Sequence, residues 1–139
     1  MIILDTNVLS ALMRPQPDRP VLDWLDRQPE SSIWTTTITL MELRYGLQCM
    51  PAGSRRETMT HELEAVLQEE IGGRYLSFDV AAAEQAAVLM SQRKVKGRPV
   101  ELRDTMIAGI ALASRATLAT RNTDHFADLS VPVINPWKY

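Results

Sequence analysis

The chain has 139 residues, of which 45% are hydrophobic and 23% charged. That balance is ordinary for a globular domain and excludes a disordered tail, a collagen and a disulfide scaffold. A formal net charge of −2 excludes nucleic-acid binding by bulk charge alone, so any such binding needs local basic patches, a metal ion or a partner chain. Cys49 is the single cysteine and cannot form an internal bridge, which fits a reducing, cytoplasmic setting. Met1–Asp5 has neither the basic start nor the apolar length of a signal peptide, and no apolar run approaches membrane-spanning length.

Met1–Asp5 reads as a short buried strand ending in a carboxylate. Val8–Met13 is a helical turn stopped by Pro15 and Pro17, and Pro20 opens a helix carrying Val21, Leu22, Trp24 and Leu25. Ile33–Thr37 is β-branched and aromatic, hence a strand, and Thr37 is placed to cap the helix Ile38–Met50. Ser54 starts a longer helix to about Glu70, ended by Gly72-Gly73. Arg74–Phe78 is a third strand. Asp79 caps an alanine-rich helix to about Val95, Gly97-Arg98-Pro99 is a loop and Leu102–Arg115 is a helix. Thr117–Thr120 and Val131–Ile134 are the last strands. Strands alternating with helices predict an α/β fold with a parallel sheet covered on both faces. Ligands of such sheets gather outside the carboxyl ends of the strands, near the switch point. Asp5-Thr6-Asn7 and Arg121-Asn122-Thr123-Asp124 both follow strands immediately and fall on that edge.

Two further carboxylates stand in apolar surroundings. Ile38–Met50 is apolar on nearly every side, which predicts a buried helix with Glu42 at least partly inside. Asp104 heads a helix whose same-side residues are Ile107, Ala108 and Ala111, and its small residues predict close packing at the centre. Each acid has a purely structural alternative. Asp5 could cap the following turn, Asp104 could complement a helix dipole, Glu42 could pair with Arg44, and Asn122 and Asp124 could be ordinary loop residues. As a set they share one sheet edge. Like charges 4 Å apart repel by about 4 kcal/mol at an effective dielectric near 20, so such a cluster needs protons or a cation. No His or Cys stands at ligand spacing, which disfavours zinc. An all-oxygen site suits Mg²⁺ or Mn²⁺, and phosphodiester hydrolysis by metal-activated water is the chemistry it supports best.

The segments Ile3-Leu4-Asp5-Thr6-Asn7-Val8, Arg14-Pro15-Gln16-Pro17, Thr39-Leu40-Met41-Glu42-Leu43-Arg44-Tyr45-Gly46, Asp104-Thr105-Met106-Ile107-Ala108, Ala119-Thr120-Arg121-Asn122-Thr123 and Asn135-Pro136-Trp137 span the chain. In order and spacing they resemble the PIN-domain ribonucleases of the VapC toxin family, in its FitB-like branch. The resemblance implies a single PIN domain over residues 1–139, Rossmann-like, with a central parallel sheet flanked by helices. It implies acidic site positions at Asp5, Glu42 and Asp104, with Asp5 and Asp104 holding the metal. The fourth position falls on Asn122, with Asp124 as the nearby alternative acid. Thr6 and Thr120 match supporting hydroxyls, and Arg103 stands where relatives often carry a small residue and could contact phosphate. The resemblance further implies a Mg²⁺-dependent endoribonuclease (Mn²⁺ as the alternative) that acts as the toxin of a type II toxin–antitoxin pair. Its partners would be RNA as substrate, a second copy in a homodimer and a small DNA-binding antitoxin that carries the complex to operator DNA.

Two other functions are weighed. One is a weakly catalytic PIN subunit acting mainly as co-repressor, with Asn122 as the sign of weakened catalysis. The other, a phosphatase of the haloacid dehalogenase type, wants Asp-x-Asp after the first strand, and here the third residue is Asn7. Arg93-Lys94-Val95-Lys96-Gly97-Arg98 reads as a solvated helix end complementing the dipole, with Lys94, Lys96 and Arg98 as the alternative RNA contacts. His61 and His125 are expected in surface or structural roles, and Cys49, Trp24 and Trp34 in packing. Leu40, Leu43, Leu47 and Met50 could face either the core or a dimer partner.

Overall fold

A computed structural model describes residues 1–139. Five parallel strands alternate with six α-helices, in the chain order β1 (Ile2–Leu4), α1 (Thr6–Leu12), α2 (Arg19–Asp26), β2 (Ile33–Thr36), α3 (Thr37–Cys49), α4 (Ser54–Val66), β3 (Tyr75–Leu76), α5 (Val80–Val95), α6 (Leu102–Ser114), β4 (Thr117–Ala119) and β5 (Val133–Ile134). The sheet order is β3-β2-β1-β4-β5. The chain winds outward from β1 through β2 to β3, then returns to lay β4 against the other edge of β1, pairing Ile3 with Leu118 and Leu4 with Ala119. The switch point therefore lies between β1 and β4, and a crevice opens there beyond their carboxyl ends. Asp5 follows β1 and Arg121-Asn122 follow β4 at that edge.

Strand residues alternate between the two faces, and the core divides accordingly. Leu4 and Ala119 join Leu9, Trp24, Leu43, Leu63 and Ile71 on one side. Ile3 and Leu118 join Ile107, Ala108, Ile110 and Phe126 on the other. On that second side α5 and α6 approach closely at Gly109, where an added Cβ would lie 2.5 Å from the Ala82 carbonyl oxygen and 2.9 Å from the Ala86 Cβ. Both obstacles are fixed by α5. Gly109→Ala is therefore expected to destabilise the fold by about 1–3 kcal/mol of overpacking, more than the roughly 1 kcal/mol of helix propensity it gains. Urea unfolding reads this as a lower midpoint.

Several local expectations need correction. Thr36, not Thr37, caps α3: its backbone is extended and its hydroxyl accepts the Thr39 N–H at 3.0 Å. The helix from Ser54 does not stay regular to Glu70, because Leu67–Ile71 widens into a π-helical turn that Gly72 ends at φ 55°. The helix α3 is not buried all round. Leu43 and Leu47 reach the core, with Leu40 and Met50 packed against it. Met41 (51% exposed) and Tyr45 (64%) face outward with Cys49, a stripe at i, i+4, i+8. The residues left for a partner are thus these three, and Cys49 is not a core residue. Arg93 is not a solvated helix end either: it is 3% exposed. Asp79 does cap α5, accepting the Ala82 N–H at 2.9 Å. No helix is long and apolar enough to cross a membrane.

Candidate active site

Asp5 stands at the end of β1 as the cap of α1. Its Oδ1 accepts the Thr6 N–H at 2.8 Å, and its Oδ2 accepts the Thr120 hydroxyl at 2.7 Å. Thr120 is fully buried, and its Oγ1 also accepts from the Asn7 amide at 3.2 Å and from the Asn122 N–H at 3.1 Å. The capping alternative is thus met by the Asp5 side chain. Asp5 is 3% exposed and makes hydrogen bonds only, with no cation paired to it. Burial raises its pKa above the usual carboxylate value. The hydrogen bonds from Thr120 and Thr6 oppose that rise, and the charge of Asp104 adds to it.

Glu42, one helical turn into α3, does not meet Arg44, because residues two apart on a helix point to different sides. Arg44 instead pairs with Glu64. Glu42 accepts the Thr6 hydroxyl at 3.3 Å and lies 3.7 Å from the Arg103 guanidinium. Burial raises its pKa, Arg103 and Thr6 oppose the rise, and Asp5 and Asp104 add to it. Asp104, in the first turn of α6, is hydrogen-bonded through Oδ2 to His125 Nδ1 at 2.7 Å.

Asp5, Thr6, Glu42, Asp104 and Asn122 line one cleft of ≈ 390 Å³. Asp124 does not reach it. It lines a neighbouring crevice with Lys96, Arg98 and Asp128. Arg103 spans Glu101, at 2.7 Å, and Glu42, and Lys94 lines a separate groove with Met90 and Val100. Sequence reasoning missed five lining residues: Ser10, Arg14, Glu101, His125 and Trp137. Asn7 and Ser10 are spaced i, i+3 on α1, one helical face legible in advance, and Arg14 follows just past the end of that helix. His125 stands three residues past Asn122, and its N–H bonds the Asn122 carbonyl at 3.1 Å.

His125 is held from behind by Arg93. The guanidinium makes a fork to Asp128 at 2.9 and 3.0 Å, donates to the His125 carbonyl at 2.8 Å and donates to Thr105 Oγ1 at 3.0 Å. One buried arginine thereby ties both neighbours of the Asp104–His125 contact, the start of α6 and the loop after β4.

The donor chemistry fits a hard divalent cation. The acids offer oxygen only, and Asp5 is a buried carboxylate opposed by its surroundings with no cation of its own. No three His, Cys, Asp or Glu side chains converge closely enough to form a metal cage. One or two carboxylates with retained waters is the usual provision for Mg²⁺.

An oxygen-lined acidic cleft at the β1/β4 switch point of a 3-2-1-4-5 parallel sheet defines the class, and the chain belongs to the PIN-domain family, whose model matches residues 2–131. Within it, the chain is 42% identical over 138 residues, 99% of both chains, to the VapC ribonuclease Y4jK of Sinorhizobium fredii. It is 36% identical over 137 residues, again 99% of both, to the toxin FitB of Neisseria gonorrhoeae. In the structure of FitAB bound to an IR36 DNA fragment, a chain 35% identical superposes with a TM-score of 0.88, over 99% of this chain and 96% of that one.

Proposed function

We propose that this chain is the toxin of a type II toxin–antitoxin pair and a Mg²⁺-dependent endoribonuclease, acting as one PIN domain in the cytoplasm. The observation that carries the proposal is the buried, cation-free Asp5 gathered with Glu42, Asp104 and Asn122 in one cleft. The similarity to proteins named VapC ribonuclease and toxin FitB supports it. Asp5 and Asp104 would hold the ion. Thr120 and the Thr6 N–H orient Asp5, Thr6 and Arg103 orient Glu42, and Asn122 offers a neutral amide at the fourth position. A bound Mg²⁺ supplies Lewis acidity toward water and phosphate oxygens.

His125 is the only imidazole in the cleft, and it is tied to Asp104. The cleft thus lacks an imidazole pair to serve as acid and base for attack by the RNA 2′-hydroxyl. Water is the nucleophile and the ribose 3′-oxygen leaves, so cuts carry 5′-phosphate and 3′-hydroxyl ends. The test is sequencing of RNA ends after controlled expression without antitoxin, paired with cleavage by purified protein in Mg²⁺ and in EDTA. Cyclic 2′,3′-phosphate ends, or full activity in EDTA, would refute the mechanism. Mg²⁺ at a hundred times its dissociation constant is also expected to stabilise the fold by about 2.7 kcal/mol, read as a higher melting temperature.

Partners follow the same reading. A small DNA-binding antitoxin would carry the complex to operator DNA, and the exposed Met41–Tyr45 stripe supplies apolar surface for that antitoxin or a second copy. Asn122, the neutral member of the set, favours one other reading, a weakly catalytic co-repressor subunit. Turnover of RNA by the purified, antitoxin-free protein decides against it.

A further inference from the structure

The cleft is acidic, and its substrate in the reading above is a polyanion. Something on the rim must offset that repulsion. The cations nearby are mostly committed: Arg103 lies between Glu101 and Glu42, and Arg14 lies 3.9 Å from Asp18. Arg121 is different. It is exposed, lines the cleft and makes no ion pair or side-chain hydrogen bond with the protein. Yet it is held in place. Its backbone N–H donates to Asn7 Oδ1 at 3.1 Å, and its guanidinium carbon lies 4.7 Å from the centroid of the Trp137 ring. Trp137 is itself fixed at two points, one on the indole and one on its backbone. Its Nε1–H donates to Asp18 Oδ2 at 2.7 Å, and the Trp137 N–H donates to Asn135 Oδ1 at 2.9 Å.

Stacking on an aromatic ring uses the face of a guanidinium and leaves its in-plane N–H groups free. Those groups form a fork matched to phosphate oxygens. We infer that Arg121, set on Trp137, anchors an RNA phosphate next to the one presented to Asp5 and Asp104. The anchor rests on the ribonuclease reading for its role in turnover, but RNA binding alone reports it.

The experiment uses a fluorescent single-stranded oligoribonucleotide and compares the full-length protein with Arg121→Gln and Arg121→Lys. Fluorescence anisotropy in EDTA, across a salt series, measures binding without cleavage. Arg121→Gln is expected to weaken binding about tenfold, the effect of one charged hydrogen-bonding contact. It should also make the log–log salt dependence shallower by about 0.7, one phosphate contact to a single strand. Arg121→Lys should keep the salt slope but recover only part of the affinity, since it retains charge without the fork or the stack. In Mg²⁺ the loss should fall in KM and leave kcat near the wild-type value. Arg121 is exposed, so the melting temperature should not move and unfolding cannot imitate the result. Unchanged affinity and salt slope, whatever the variant does to a protein partner, would overturn the inference, as would a loss confined to kcat. If the wild type binds RNA in an Arg121-dependent way but cuts none in Mg²⁺, the ribonuclease reading fails and the phosphate anchor stands.

Discussion

Asp5→Asn is expected to abolish RNA cleavage while leaving the metal-free protein more stable than the wild type at neutral pH. Outer partners of a metal site cost about 10–100-fold when removed, and a carboxylate that holds the ion directly should cost more. The stability gain has a separate cause. The pKa of Asp5 is raised above its unfolded value of 3.8, chiefly by burial, so between the two values the native state binds more protons than the unfolded one. Stability is then lost as pH rises through that window. Glu42 acts in the same direction above 4.5. An amide at position 5 removes the Asp5 contribution and still caps α1. Melting curves in EDTA should therefore show the wild type losing stability as pH rises above the unfolded carboxylate values, and Asp5→Asn losing less. Addition of Mg²⁺ should reverse their order. A variant less stable than the wild type in EDTA at neutral pH would show that Asp5 serves the fold more than it burdens it.

Asp128→Ala should unfold far more easily, by about 3 kcal/mol. Removing one partner of a buried pair costs roughly 3–5 kcal/mol, because the other charge is left uncompensated. The Arg93 side chain is 4% exposed, whereas that of Asp128 is 33% exposed. Thr105 and the His125 carbonyl remain as acceptors, which places the cost at the lower end. Urea midpoints measure it. The Arg93 fork holds the Asp128 carboxyl below its usual pKa of 3.8. That contribution is complete above 3.8 and disappears as pH falls through the depressed folded value. Stability differences between wild type and variant should accordingly shrink in acid. The double variant Arg93→Met/Asp128→Leu should recover much of the loss, since an apolar pair leaves no orphaned charge. Activity should fall in Asp128→Ala even where the protein stays folded, because His125 and the start of α6 lose their common anchor.

Much of this architecture was legible in local signals. Short β-branched and aromatic runs alternating with helical periods specified five strands and the α/β class. Asp79 and Gly72 announced their helix ends, and the small residues of α6 announced the close approach now seen at Gly109. The site was legible as a set because Asp5 directly follows β1 and Arg121-Asn122 lie just past β4, while Glu42 and Asp104 stand out as carboxylates in apolar helices. These features depend on residues within a turn or two of one another, so the sequence carries them openly. Distant neighbours decide the remainder. Laying β4 beside β1 brings Thr120 to Asp5 across 115 positions. Folding α6 against α3 gives Glu42 its partner in Arg103 rather than the adjacent Arg44. Arg93 reads as part of a solvated basic run until the loop after β4 delivers Asp128 and the His125 carbonyl to it. Cys49 turns outward because the sheet covers only one side of α3. Arg121 and Trp137 meet only when the carboxyl-terminal turn folds back over the switch point. Patterning along a chain states which side chains must leave water, but ion pairs and stacks require two segments in a fixed orientation, and that orientation exists only once the sheet has formed.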